Sequence, residues 1–164
     1  MKQRQAFIEQ IQAHQGLINK IVFLYADTPT DRDDLRQDIL AAAWQAYGRF
    51  RGEAQFSTWL YRVGLNVAIS SLRKRKKRPE VRPEELPEAS TAPARSEDLV
   101  ELILHLLQPV EKSMVLLLIE GFEQAEIAEM LGITPNHLRV KLHRLRAKLK
   151  KHGIETLAGT SKLG

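Results

Sequence analysis

Residues 79–96 read PEVRPEELPEASTAPARS, with prolines at 79, 83, 87 and 93 and no apolar recurrence at helical or strand spacing. Proline lacks the backbone N–H that helix and sheet ladders use and restricts the residue before it, so this density excludes a continuous regular element. The stretch reads as an extended, flexible linker, and it divides the 164 residues into two segments that must each build a core. With 43% hydrophobic and 27% charged residues there is apolar material for packed cores. No cysteine is present, which excludes disulfides and thiolate metal sites and fits a reducing compartment. The start lacks the apolar core of a signal peptide, and the richest apolar run, residues 114–119, is too short to span a bilayer. These features point to a soluble, cytoplasmic protein. A net charge of +5 and a pI near 9.6 lean toward a polyanionic partner.

Both segments read as helical. In residues 5–25, Phe7, Ile8, Ile11, Leu17, Ile18, Ile21, Val22 and Leu24 recur at steps that define one buried face, predicting a helix bent near Gly16. DTPTDRDD interrupts it, since Pro29 cannot continue a helix; an Asp or Thr there can cap the next one, and Asp31 or Asp33 is expected to start a second helix over 32–47. That helix turns Leu35, Ile39, Leu40, Ala43 and Trp44 inward and Asp34, Gln37, Asp38 and Gln45 outward. A loop bracketed by Gly48 and Gly52 follows, after which Ser57 or Thr58 caps a third helix with Trp59, Leu60, Val63, Val67, Ile69 and Leu72 inward. The third helix runs into an unbroken basic stretch, Arg73 to Arg78.

Two readings fit this third region. Phe50, Phe56, Trp59 and Tyr61, with Trp44 and Tyr47 upstream, can offer ring faces to unpaired bases while the basic run follows phosphates, at about 1–3 kcal/mol per stacked base. Equally, the rings can be core beside a solvated cationic face. Asn66 divides the same way, between an amide satisfied inside the packing and one that contacts a base.

Beyond the linker, a strongly apolar helix over 97–107 should end at Pro109, and another over 110–120 at Gly121. Residues 123–131 form a short helix, Gly132 turns the chain, Thr134 caps, and Pro135 opens a basic helix reaching about residue 152. This is a helix-turn-helix. Leu138, Leu142, Leu145 and Leu149 form its inward stripe, which leaves Asn136, His137, Arg139, Val140, Lys141, His143 and Arg144 to meet DNA. A basic hairpin or a protein-binding helix is the alternative, and the turn chemistry favours DNA. His137 and His143 are wrongly spaced for a metal pair, and no Gly-rich phosphate loop, HExxH or nucleophile with a base is evident. No enzymatic activity, cofactor, metal or small-molecule substrate is therefore expected. The layout is all-α: residues 1–78, a linker at 79–96, a helix-turn-helix domain at 97–152 and a tail at 153–164.

The stretch DRDDLRQDILAAAWQAYGRFRGEAQFSTWLYRVGLNVAISSLRKRKKR, together with QPVEKSMVLLLIEGFEQAEIAEMLGITPNHLRVKLHRLRAKLKK, resembles bacterial RNA polymerase sigma factors of the extracytoplasmic-function type, in the sigma-70 family. The shared pattern is an acidic-Leu-x-Gln-acidic helix, an FRG loop, a TWLYR helix start, an Asn ahead of a basic end, and the helix-turn-helix, in that order. The resemblance implies a subunit that binds core RNA polymerase and directs promoter-specific initiation. Asp34, Gln37 and Asp38 would dock on core. Phe50, Arg51, Phe56, Trp59, Arg62, Asn66, Arg73, Lys74 and Arg75 would capture and hold the melted minus-ten element. Asn136, His137, Arg139, Val140, Lys141, His143 and Arg144 would read the minus-thirty-five element, and an anti-sigma protein is the implied regulator. Ser70, His137, Val140, Lys141 and Leu145 depart from the family's commoner residues, which bears on the promoter letters read. The rival function is a stand-alone helix-turn-helix regulator on duplex operators, its first domain dimerising or sensing a ligand.

Overall fold

Two helices in this chain begin with the same pair, Thr-Pro. A helix's first N–H groups have no partner within the helix, so a hydroxyl one position earlier can accept from one, and proline at the first position loses nothing. At Thr28 the hydroxyl accepts from the Asp31 N–H at 3.1 Å, and at Thr134 from the His137 N–H at 3.1 Å. The computed structural model describes residues 1–76 and 103–154, and among these every regular element is an α-helix. The expected linker, most of the apolar 97–107 helix and the tail beyond 154 lie outside the described residues, which include a helical turn at 103–106. The chain divides into two units, Met1–Pro109 and Val110–Gly164.

In the first unit, α1 (Lys2–Ala13) and α2 (Gln15–Tyr25) break at His14, whose φ of −116° and ψ of 20° leave the helical basin. The break falls two residues before the expected bend at Gly16. Helix α3 (Pro29–Tyr47) starts earlier than Asp31 or Asp33, because Pro29 opens the helix from its first position and Thr28, among the Asp and Thr residues able to cap, does so. Helix α4 spans Phe56–Lys76, with Ser57 and Thr58 inside its first turn. Ile21 of α2, Leu35 and Ile39 of α3, and Leu60 and Leu65 of α4 are the fully buried centre of the first unit, each worth about 1.5–3 kcal/mol of burial. Gly64 lets α4 approach closely, since a Cβ there would lie 2.7 Å from Ile21 Cδ1.

Helix faces differ from expectation at two places. On α4 the buried set is Phe56, Leu60, Tyr61, Leu65 and Ala68, while Val63, Val67, Ile69 and Leu72 are half-buried flanks. On α3, Trp44 is 45% exposed rather than inward, because it lies about 100° round the helix from Ala43, at the centre of the buried face.

In the second unit, α5 (Pro109–Ile119), α6 (Gln124–Leu131) and α7 (Pro135–Lys151) enclose Met114, Leu117, Ile127, Ala128, Leu138, Leu142, Leu145 and Leu149. Pro109 opens α5 rather than only ending the helix before it. The Glu126 carboxylate accepts from the Glu123 N–H at 2.8 Å, half of a capping box at the start of α6. Gly132, at a left-handed φ of 66°, closes α6 while Ile133 N–H donates to the Ala128 carbonyl at 3.0 Å. Lys148 Nζ pairs with Glu111 Oε2 at 2.9 Å, joining α7 to α5. Residues 153 and 154, expected in the tail, instead finish α7: Ile154 is buried and its N–H donates to the Leu149 carbonyl.

Candidate nucleic-acid interface

Helix α7 separates its two jobs by angle. Leu138, Leu142, Leu145 and Leu149 are all buried, and Asn136, His137, Arg139, Val140, His143 and Arg144 are all exposed, with Lys141 half-buried at the margin. Val140 keeps 42% of its surface open among these polar neighbours, which suits a contact with the methyl of thymine as well as with solvent. Lys148, Lys150 and Lys151 occupy the last turn, where they also complement the helix dipole.

The first unit is built differently, around seven rings from three helices and a loop. Phe7 of α1 lies 5.1 Å from Trp44 and 5.0 Å from Tyr47, centroid to centroid. Tyr47 stacks toward Phe50 at 6.3 Å, Phe50 meets Trp59 at 5.0 Å, and Phe56 sits 5.2 Å from Trp59 and 5.8 Å from Phe50. The His14 ring completes the set at 5.1 Å from Phe56. Tilted and edge-on pairs of this kind are worth about 0.5–1.5 kcal/mol each beyond their buried area.

The rings do not share one fate. Phe50 and Trp59 are half-buried and retain open surface, whereas Phe56 is only 9% exposed and Tyr61 only 3%. Phe56, expected to stack on a base, is therefore support beneath the other rings, since its faces are already taken by His14, Phe50 and Trp59. The loop holding Phe50 is short and tied: its N–H donates to the Tyr47 carbonyl at 3.1 Å, and Gly52 takes a left-handed φ of 72° that few other residues adopt.

From Trp59 the exposed residues of α4 continue as Arg62, Asn66, Ser70 and Arg73, at steps of three and four that keep them on one face. Spaced at 1.5 Å per residue, this strip is about 21 Å long. The alternative of a packed amide at Asn66 is settled by its exposure. Arg51 and Lys74 are exposed as well, and Arg75 is half-buried and paired with Asp31 at 3.4 Å, at the start of α3. Asp34, Gln37 and Asp38 lie exposed together on α3. Phe7 and His14 were invisible as members of the site, because nothing local ties them to rings about forty residues away.

A helix-turn-helix with a cationic outer face, on one chain with a unit whose surface strip combines an aromatic ring, an amide and cations, marks a nucleic-acid-binding protein. Comparison with known proteins agrees. Residues 10–78 match the family model for Sigma-70 region 2, and residues 96–149 match that for Sigma-70, region 4. The ECF RNA polymerase sigma factor SigM of Mycobacterium tuberculosis is 28% identical over 151 residues, covering 90% of this chain and 77% of the relative. The RNA polymerase sigma-H factor of Pseudomonas aeruginosa is 26% identical, over 90% of this chain and 86% of the relative. Among solved structures, CnrH in complex with the cytosolic domain of CnrY aligns at TM-score 0.62 and 23% identity, over 93% of this chain and 90% of that one. RpoE of Bartonella quintana, solved with the anti-sigma factor NepR, aligns at TM-score 0.63 and 19% identity, over 90% and 94%.

The chain belongs to the sigma-70 family, as a sigma factor of the extracytoplasmic-function type. It binds core RNA polymerase and directs promoter-specific transcription initiation; the stand-alone regulator is not favoured. Sigma factors are not enzymes. Among the described residues no helix is long and apolar enough to cross a membrane.

Proposed function

We propose that the two units divide promoter recognition between unpaired and paired DNA. Residues 1–78 dock on core through Asp34, Gln37 and Asp38 and hold the melted minus-ten element. Phe50 and Trp59 supply ring surface, Arg62 and Asn66 reach base edges, and Arg51, Arg73, Lys74 and Arg75 hold phosphates, while Phe56 supports the rings from beneath. Residues 97–152 read the minus-thirty-five element as duplex through the exposed face of α7, and residues 79–96 join the two. The observation that carries this reading is the α4 strip, in which Trp59, Arg62, Asn66 and Arg73 share one face beside the loop rings. Extruding a base costs a few kcal/mol, and stacking with edge contacts can return it.

The protein acts in the cytoplasm, with no chemistry of its own and no cofactor. CnrH and RpoE were each solved with a protein partner, CnrY and the anti-sigma factor NepR. An anti-sigma protein is the corresponding partner for this chain. Run-off transcription with bacterial core polymerase on a pool of promoter-sized fragments tests the whole reading. Discrete start sites that require the protein are expected. Duplex binding without core association or dependent transcripts would return the regulator alternative.

A further inference from the structure

His14 stands outside every residue set named for docking or DNA, yet it touches the base-capture cluster from behind. It is the residue at which α1 and α2 break, and its Nδ1 lies 2.7 Å from the Gln10 carbonyl oxygen. A carbonyl can only accept, so Nδ1 carries the proton and the bond fixes the plane of the ring. That ring sits 5.1 Å from Phe56 at an interplanar angle of 52°. Phe56 in turn contacts Phe50 and Trp59, the two rings with open surface in the loop and α4. A continuous path therefore runs from the α1–α2 joint, through one imidazole and one buried phenyl, to the surface assigned to unpaired bases.

We propose that His14 is a positioning residue for minus-ten base capture. Without touching DNA, it sets the place of Phe56 and through it the planes of Phe50 and Trp59. The proposal rests on the reading of those two rings as base contacts. Its physical basis is preorganisation: the return from stacking, about 1–3 kcal/mol per base, is of the same size as the cost of extruding one, so modest loosening of the rings decides whether capture is favourable.

Holoenzyme assembled from core and the full chain should be titrated with a single-stranded oligonucleotide carrying the minus-ten sequence mapped by run-off, alongside core affinity. His14→Ala should weaken oligonucleotide binding about five- to tenfold with core affinity unchanged. His14→Phe, which keeps a ring against Phe56 but loses the bond that fixes its plane, should recover part of the loss, and Trp59→Ala should lose more than either. If His14→Ala binds like the parent while Trp59→Ala does not, the proposal is overturned and the base-capture reading stands. If Trp59→Ala also binds normally, that reading fails and His14's role goes with it. Equal losses of core and oligonucleotide binding in both His14 variants would mean the ring serves the fold in general, which also overturns it.

Discussion

The two units combine a proposed binding face with a core in opposite ways. In α7 the core and the face are different residues, separated by the helical period, so four leucines are buried and their neighbours are open. In the first unit core and face are made of the same kind of residue in contact, with Phe56 buried beneath half-buried Phe50 and Trp59. A duplex groove accepts polar and cationic side chains that water also accepts, whereas an unpaired base calls for ring surface, which also favours burial. Sites for single strands are therefore expected to merge with the core, and mutations should show it.

The largest effect should come from Phe56→Ala, which removes a buried ring and its partners' support and should destabilise the first unit by about 3–5 kcal/mol. Both tryptophans, Trp44 and Trp59, lie in the first unit, so intrinsic fluorescence during denaturant unfolding reports that unit alone. The comparison predicts that duplex binding by α7 survives this change; its loss would mean that the two units do not fold independently. Arg139→Ala is the counterpart on the other side. It should cost about 1–3 kcal/mol at one position of the upstream element, read by duplex competition, with single-strand binding and stability unchanged. An equal loss on every sequence would make Arg139 a phosphate contact only. Gly64→Ala forces a methyl to 2.7 Å from Ile21, and it should cost the first unit about 1–3 kcal/mol.

The two Thr-Pro pairs give a finer test and show what was legible. Thr134→Ala and Thr28→Ala should each cost about 1 kcal/mol, the first felt only in the second unit and the second only in the first. The pair at Thr134 was readable because a glycine turn and a clean leucine stripe surround it. The identical pair at Thr28 sits in DTPTDRDD, where several Asp and Thr residues compete as caps and Pro29 can end one helix as readily as open the next. Chemistry alone did not separate these choices; the packing of Leu35 and Ile39, which fixes where α3 must lie, does. The helix-turn-helix site followed from one period. The ring cluster did not, since α1 supplies Phe7 and His14 across some forty residues, and no local pattern grades Phe56, Trp44 and Trp59 by exposure. The family resemblance pointed to the candidate site, and only the packing separated its buried ring from its open ones.

The smallest expected effect tests the cationic end of α4, where a contact within the fold competes with the proposed contact to DNA. Arg75 pairs with Asp31 at 3.4 Å, with the side chains 31% and 40% exposed, so a double-mutant cycle on stability should give a coupling of only about 0.2–1 kcal/mol. Asp31 also lies in the first turn of α3, where its charge favours the helix dipole, so the single Asp31→Asn change overstates the pair and the cycle is needed. If Arg75 must leave Asp31 to hold a phosphate, Asp31→Asn should tighten single-strand binding slightly, because that exchange is no longer required. The gain should shrink at high salt, where the exposed pair is already screened. Unchanged affinity would mean that Arg75 stays on Asp31 in the complex, leaving the phosphates to Arg73 and Lys74, and core and contact would then overlap less in this unit than its rings suggest.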